Sequence, residues 1–185
     1  TLGESVTSHA ATLPGTIYVC LAQRRLSYVR SCADKPLIVR LRNWVGEVVL
    51  ALPTLTMMEQ AGYQLHLIGR PWAADLLAGH GWPVHTRPNG HCAAIAQLRR
   101  LRRRLDEADA SFSQRINTVL LTSSFSSAIE ARLAGLRALG YADDGRRLLL
   151  ARALAVEPNL HVAEEYWRIG VALVGARAPS QPMHV

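Results

Sequence analysis

A carboxylate that follows a short apolar segment is the residue best suited to chemistry in this sequence. Glu47 comes after the apolar run of residues 37–41 and a polar bend. The apolar spacing that follows predicts an amphipathic helix over residues 47–60, which places Glu47 in the first helical turn. A carboxylate there can take part in chemistry at the carboxyl end of a strand. It can also serve the helix alone, since an acidic first-turn residue stabilises the helix dipole by roughly 0.3–1 kcal/mol.

Arginines and serines follow other apolar segments in the same way. Arg42 comes just after the apolar run of residues 37–41, and Arg70 comes just after that of residues 63–68. Ser123, Ser124 and Ser126 follow the apolar run of residues 117–121. Guanidinium groups at such an edge pair with carboxylates or phosphates, although exposed arginines are often solvated charges. Serine hydroxyl and N–H groups can bind phosphate or other oxygens, although serine also caps helices routinely. Both interpretations of each set stay open at this point.

Residues 91–105 are predicted to form a strongly basic helix with an apolar stripe on one side. The basic positions are Arg99, Arg100, Arg102, Arg103 and Arg104. The first interpretation is a solvated helix face, and the second is contact with anionic phospholipid or phosphate, where each basic residue contributes about 1 kcal/mol. Nucleic-acid binding is not expected, because no aromatic platform or recognised motif accompanies the arginines.

Composition indicates one globular domain. The chain has 185 residues, 49% of them hydrophobic and 19% charged, with a net charge of +7 at pH 7. Cys20, Cys32 and Cys92 lack disulfide or metal spacing and are expected to be reduced thiols, and the histidines show no ligand spacing either. No glycine-rich phosphate loop and no apolar run long enough to span a bilayer occurs in the sequence.

Strand and helix patterns alternate along the chain. Strands are predicted over residues 37–41, 63–68, 82–86, 117–121 and 136–141. Helices are predicted over residues 47–60, 91–105, 125–134 and 162–174, with a short one that ends at residue 77. This alternation predicts an α/β fold, a Rossmann-like open parallel sheet with helices on both faces.

Four segments of the chain carry a family resemblance. They are LIVRLRNWVGEVVLALPTL, GRPWAADLL, VLLTSSFSSAIEARLAGL and HVAEEYWRIGVAL. In order and spacing they resemble the N-terminal half of the ADP-heptose:lipopolysaccharide heptosyltransferases of glycosyltransferase family 9, with the heptosyltransferase II type as the nearest likeness. The resemblance covers about residues 36–173. It implies the GT-B architecture, in which two Rossmann-like domains face each other across a cleft.

The resemblance also implies a domain plan. Residues 1–35 would be a poorly patterned N-terminal extension, residues 36–175 the acceptor-binding domain, and residues 176–185 the start of an interdomain linker. The C-terminal donor domain would be missing, so we expect the chain to be a piece of a longer protein and inactive by itself. A truncated, non-catalytic α/β binding module is the alternative.

The activity implied is transfer of heptose from ADP-heptose to a Kdo/heptosyl-lipid A acceptor, with inversion. The family carries an Asp in a WVGD-type motif as its presumed base, and Glu47 stands at that position here with one more methylene. Donor ADP-heptose would be bound mainly by the missing domain, and no cofactor or metal is expected. The expected location is cytoplasmic, peripheral at the inner face of the bacterial inner membrane, where the five arginines would meet anionic lipid.

The acceptor site implied by the resemblance uses residues already singled out and the bend before Glu47. Arg42 and Arg70 would meet Kdo carboxylates or lipid A phosphates. The acceptor's sugar end would be lined by Asn43, Trp44, Val45 and Gly46, and its oxygens would be bound by Ser123, Ser124 and Ser126.

Overall fold

A six-stranded parallel sheet forms the centre of the computed structural model, which describes residues 35–175. The strands are β1 (Lys35–Arg40), β2 (Tyr63–Gly69), β3 (Val84–Thr86), β4 (Thr118–Leu120), β5 (Ala138–Tyr141) and β6 (Arg152–Leu154). Their order across the sheet is β3-β2-β1-β4-β5-β6, and every neighbouring pair is parallel. Apart from Lys35, the predicted extension of residues 1–35 lies outside the described residues, as does the predicted linker of residues 176–185.

Helices cover both faces of this sheet. They are α1 (Val45–Gln60), α2 (Trp72–Leu76), α3 (His91–Ala108), α4 (Phe125–Leu133) and α5 (Val162–Val174). Side chains alternate along β1, so Leu37 and Val39 pack with α1, α2 and α5, while Ile38 packs with α3 and α4. The predicted fold class, a Rossmann-like open parallel sheet with helices on both faces, is therefore confirmed.

Two details of the predicted elements are corrected by the structure. Helix α1 begins at Val45, two residues earlier than predicted, because Trp44 is the extended N-cap residue and Gly46 is already helical. The short edge strand β6 was missed, because its three residues include an exposed arginine and carry no strand pattern. The five predicted strands and the last helix, residues 162–174, are all present.

Helix α5 packs closely on helix α1. A Cβ atom on Gly170 would lie 2.2 Å from Met57 Cε and 2.9 Å from Thr54 Cγ2, so glycine is what lets the two helices approach. This contact brings the first turns of α5 against the segment that follows β1. Glu165 and Tyr166 of α5 thereby reach the site described below.

Two arginines of the basic helix α3 hold the end of α4. Arg99 Nε and Nη2 donate to the Leu133 carbonyl at 3.3 and 3.0 Å, and Arg102 Nη1 donates to the Ala134 carbonyl at 3.3 Å. Gly135 follows with a φ of +77°, and a Cβ there would lie 2.2 Å from Arg102 Nη1. Cations at a helix C-terminus satisfy its last carbonyls and oppose its dipole.

The single basic face expected on α3 is therefore divided between two roles. Arg99 and Arg102 bind the backbone at the end of α4, because the two helices pack side by side on the same face of the sheet. Arg100, Arg103 and Arg104 are exposed. These three make no hydrogen bond to α4, and Arg99 is exposed as well although it binds the Leu133 carbonyl.

A pair of histidines lies between β2 and β3. The rings of His66 and His85 are stacked with centroids 5.7 Å apart, and His85 Nε2 lies 3.5 Å from His66 Nδ1. Burial lowers the pKa of both rings. The charge of His85 lowers the pKa of His66 further, and the charge of Arg104 lowers the pKa of His85 further. The folded chain therefore binds protons on this pair less readily than the unfolded chain does.

We predict that acid weakens the fold through this histidine pair. Stability is complete above the ordinary histidine pKa of about 6.5 and falls as pH drops below it, because the unfolded chain takes up protons first. The urea midpoint should be lower at about pH 5.5 than at about pH 7.5. A His66→Gln/His85→Gln variant should lose part of that difference, whereas His80→Gln, at an exposed position, should keep it. An unchanged pH dependence in the double variant would contradict the assignment.

Candidate functional site

The sheet has a topological switch point between β1 and β4. From β1 the chain adds β2 and β3 on one side, and then returns to place β4 on the other side of β1. The segments leaving the two strands at this point diverge, and such a crevice is where open α/β sheets bind ligands. Arg40, the last residue of β1, is paired in register with Leu120, the last residue of β4.

A polar cleft of about 220 Å³ opens at this edge. It is lined by Arg40, Asn43, Arg70, Arg87, Asn89, Thr122, Ser124, Ser126, Ser127 and Glu130. These residues come from the carboxyl ends of four strands and from α4, so the fold gathers them from distant parts of the sequence. Three guanidinium groups face one carboxylate, which makes the cleft suited to an anion.

Arg40 is a cation of this cleft with an unused hydrogen-bond donor. Its Nη1 donates to the Ile68 carbonyl at 3.3 Å, and its Nε is buried with no hydrogen-bond partner among the described residues. Burial lowers the pKa of Arg40 to about 10, with Arg87 and Arg70 acting in the same direction and Glu130 opposing them. The side chain is still charged at neutral pH. A half-buried cation with an unused donor is suited to hold a negatively charged group.

Glu130 is a nearly buried carboxylate that contacts both Arg87 and His91, the first residue of α3. Its side chain is 4% exposed. Arg87 donates from Nε to Oε2 at 3.3 Å and from Nη2 to Oε1, and His91 Nδ1 lies 2.7 Å from Oε1. Burial raises the pKa of Glu130, but the hydrogen bonds from Arg87 and His91 and the charges of Arg87 and Arg40 outweigh it and leave that pKa below its usual value. Glu130 is therefore ionised at neutral pH.

Hydrogen bonds order the serine segment that follows β4. Thr122 Oγ1 donates to Ser127 Oγ at 2.8 Å, and Ser127 Oγ donates to the Ser124 carbonyl at 2.7 Å. Ser124 is the N-cap residue of α4, yet its side chain makes no capping hydrogen bond. Ser124 and Ser126 face the cleft, and their hydroxyl groups lie 3.4 Å apart.

Two arginines bind consecutive carbonyls of the same segment. Arg42 Nε donates to the Leu121 carbonyl at 2.8 Å, and Arg146 Nη1 donates to the Thr122 carbonyl at 2.5 Å. Arg146 is 1% exposed and also donates from Nε to the Tyr141 carbonyl at 2.7 Å. Burial lowers the pKa of Arg146, and the nearby Asp143 opposes this. The position of the serine segment thus depends on these buried cationic contacts.

Glu47 lies beside the cleft, on the α1 and α5 side of the sheet edge. It is the third residue of α1, and its Oε1 lies 3.3 Å from Arg42 Nη1. Its Oε2 is buried with no hydrogen-bond partner among the described residues. Arg42 Nη2 also lies 3.9 Å from Glu165 Oε2. Burial raises the pKa of Tyr166 to about 12, with Arg42 opposing and Glu47 adding to the rise.

The structure separates the candidate residues into two groups. Those that line the cleft are Asn43, Arg70, Ser124 and Ser126. Those outside its lining are Arg42, Trp44, Val45, Gly46, Glu47 and Ser123. Trp44 and Val45 are instead 74% and 50% exposed. Arg42 is engaged with Glu47 and the Leu121 carbonyl rather than open to a ligand.

Six residues of the cleft are absent from the sequence-based candidates: the uncharged Asn89, Thr122 and Ser127, and the charged Arg40, Arg87 and Glu130. Arg87 follows β3 just as Arg70 follows β2, so the same positional signal could have found it. Arg40 interrupts an otherwise apolar strand, which is a second usable signal. Glu130 stands among the buried positions Ser127, Ala128 and Ala131 of α4, and a carboxylate in such a register indicates a buried cation nearby.

The fold and the cleft together define a Rossmann-like α/β domain with an arginine-lined cleft at its switch point. No protein-family model and no curated protein sequence matches the chain. Solved structures do. E. coli ADP-heptose LPS heptosyltransferase II is 19% identical, with a TM-score of 0.58 over 80% of this chain and 45% of that one. E. coli heptosyltransferase WaaC, solved with ADP-2-deoxy-2-fluoro heptose, is 18% identical, with a TM-score of 0.54 over 79% of this chain and 50% of that one.

A third solved structure agrees with these two. The family 9 glycosyl transferase from Veillonella parvula is 14% identical, with a TM-score of 0.57 over 82% of this chain and 45% of that one. The chain spans about half the length of the structures it matches. The resemblance noted in the sequence is thus confirmed at the level of the fold.

None of the helices in residues 35–175 combines the length and the apolar character needed to cross a bilayer. Within the same range, no three His, Cys, Asp or Glu side chains are grouped so that they could hold a metal ion.

We predict that Arg146→Met lowers the free energy of unfolding by about 2–4 kcal/mol, because it leaves the buried Thr122 and Tyr141 carbonyls unpaired. Urea unfolding measures this loss. Arg147→Met is the matched control, since Arg147 is the exposed neighbour in the same short 3-10 helix, Arg146–Leu149. Equal stability of the two variants would show that Arg146 does not hold the segment.

Proposed function

We propose that the chain is the acceptor-binding half of a family 9 glycosyltransferase that transfers heptose from ADP-heptose to a Kdo/heptosyl-lipid A acceptor, with inversion. One observation carries the proposal. An arginine-lined cleft and a first-turn carboxylate lie at the same switch point of the sheet, and this fold is shared with about half of the length of each heptosyltransferase chain. The donor is proposed because WaaC was solved with ADP and with an ADP-heptose analogue.

In this proposal the cleft holds the anionic part of the acceptor. Arg40 offers an unused buried donor, and Arg70 and Arg87 add positive charge to the same lining. Carboxylate and phosphate groups form the strongest hydrogen bonds with such guanidinium groups. Asn43, Ser124 and Ser126 supply amide and hydroxyl groups at the rim, which suit the hydroxyl groups of a sugar.

Glu47 is the proposed general base. The acceptor hydroxyl oxygen attacks the anomeric carbon, its proton passes to Glu47, and the bond from that carbon to the diphosphate breaks with the electron pair leaving on ADP. Arg42 holds one carboxylate oxygen and leaves Oε2 without a partner among the described residues. The reaction proposed takes no metal and no cofactor other than the sugar donor, which a second domain would bind.

ADP release tests this proposal in the longest natural protein that contains the chain. With ADP-heptose and a Kdo-lipid acceptor, Glu47→Gln should lower kcat by roughly a hundredfold to ten-thousandfold, because proton transfer by a placed side chain contributes that much. Glu59→Gln, an exposed carboxylate near the end of α1, is the matched control and should keep the original rate. Equal rates in both variants would remove Glu47 as the base. Acceptor binding without any ADP release would favour the non-catalytic binding module.

The same proposal places the protein at the cytoplasmic face of the bacterial inner membrane, with α3 toward anionic lipid. The exposed Arg100, Arg103 and Arg104 share one side of the helix, since their spacing of three and four residues repeats with the helical turn. The contact is electrostatic, so it should depend on both lipid charge and salt.

Liposome cosedimentation tests this contact. Changing Arg100, Arg103 and Arg104 to Gln should reduce binding to anionic vesicles by roughly tenfold or more, since each basic residue contributes about 1 kcal/mol. The matched control changes the exposed Arg132, Arg137 and Arg147 to Gln, which removes the same charge elsewhere. Equal losses in the two triple variants, or binding that ignores salt, would contradict a specific role for α3.

A further inference from the structure

The cleft contains its own counter-ion. Glu130 binds Arg87 through two nitrogen atoms and interacts electrostatically with Arg40, while Arg40 and Arg70 form no ion pair with a carboxylate among the described residues. A nearly buried carboxylate in a site for anions opposes the ligand that the site is built to hold. Its presence therefore needs an account beyond packing.

We propose that Glu130 is a specificity-determining residue that lowers the preference of the cleft for a doubly charged anion relative to a singly charged one. The inference rests on the proposed function only in taking the cleft as the place where an acceptor's anionic group binds. The ligands favoured in relative terms carry a single negative charge, as on a carboxylate or a phosphodiester. The affinity for a phosphate monoester, with two charges near neutral pH, is the one that Glu130 lowers more.

Coulomb's law gives the physical reason. The repulsion between Glu130 and a bound anion scales with the charge of that anion, so a doubly charged ligand experiences twice the energy of a singly charged one. In affinity, the factor for a dianion is then the square of the factor for a monoanion. Glu130 meanwhile orients Arg87, because the Nε and Nη2 contacts fix the plane of its guanidinium group.

Removal of the charge on Glu130 while its shape is kept separates this role from a structural one. Glutamine can still accept a hydrogen bond from Arg87, so Glu130→Gln preserves much of the local geometry. A selectivity role predicts tighter anion binding in this variant. A purely structural role predicts weaker binding, because Arg87 would lose its support. The two roles thus predict changes of opposite sign.

The experiment is an NMR titration of the 185-residue chain with inorganic phosphate and with dimethyl phosphate, at about pH 8, where inorganic phosphate is mostly doubly charged. Ionic strength is held constant so that screening does not vary. In Glu130→Gln we expect dimethyl phosphate to bind roughly threefold to tenfold more tightly. We expect inorganic phosphate to gain roughly tenfold to a hundredfold, so that its preference over dimethyl phosphate rises.

Two further variants keep the test decisive if Glu130→Gln folds poorly. Arg87→Gln should weaken phosphate binding more than dimethyl phosphate binding, because Glu130 then faces Arg40 without its partner. The double variant Arg87→Gln/Glu130→Gln restores the original net charge and should recover most of the lost phosphate affinity. A double variant no better than Arg87→Gln would overturn the proposal.

Glu107→Gln is the matched control. Glu107 is exposed near the end of α3, roughly 24 Å along the helix from His91, and the substitution changes the net charge of the chain by the same amount. It should leave both affinities unchanged. A gain equal to that of Glu130→Gln would show that only overall charge matters and would overturn the proposal.

The titration also separates this inference from the proposed function. Selective phosphate binding in Glu130→Gln, together with no ADP release by the longer protein, would support the role of Glu130 and contradict the transferase. Weaker or unchanged anion binding in Glu130→Gln would overturn the role of Glu130, whatever the longer protein does with ADP-heptose.

Discussion

The ion pair between Arg87 and Glu130 is the interaction on which the cleft depends. It joins the end of β3 to the middle of α4, and His91 adds the first turn of α3 to the same carboxylate. Without a carboxylate there, the three arginines that line the cleft would repel one another in a partly buried place. The same contact restrains the guanidinium group of Arg87, which lines the cleft.

The carboxyl edge of the sheet is organised by cations that bind backbone. Arg42 and Arg146 hold the carbonyls of Leu121 and Thr122, and Arg40 holds that of Ile68. On the opposite end of α4, Arg99 and Arg102 hold the last carbonyls of the helix. These five arginines therefore hold backbone segments in place within the fold.

The sheet could be read from the sequence far more fully than the site could. Apolar runs such as residues 37–39 and 119–121 mark buried strands, and the periodic α5 was predicted to the residue. The cleft depends instead on the order in which strands join the sheet. Nothing local in the sequence shows that Arg87 lies beside Glu130, 43 residues away, because that pairing exists only after β4 inserts next to β1.

The missing Cβ of Gly170 has a mechanical consequence for the first turn of α1. Because Met57 and Thr54 occupy the space a side chain would take, α1 and α5 interlock and resist sliding past each other. Glu47 in the first turn of α1 and Tyr166 in the second turn of α5 are thereby restrained relative to each other. Thermal motion of this side of the molecule would carry the carboxylate and its surroundings together as one rigid body.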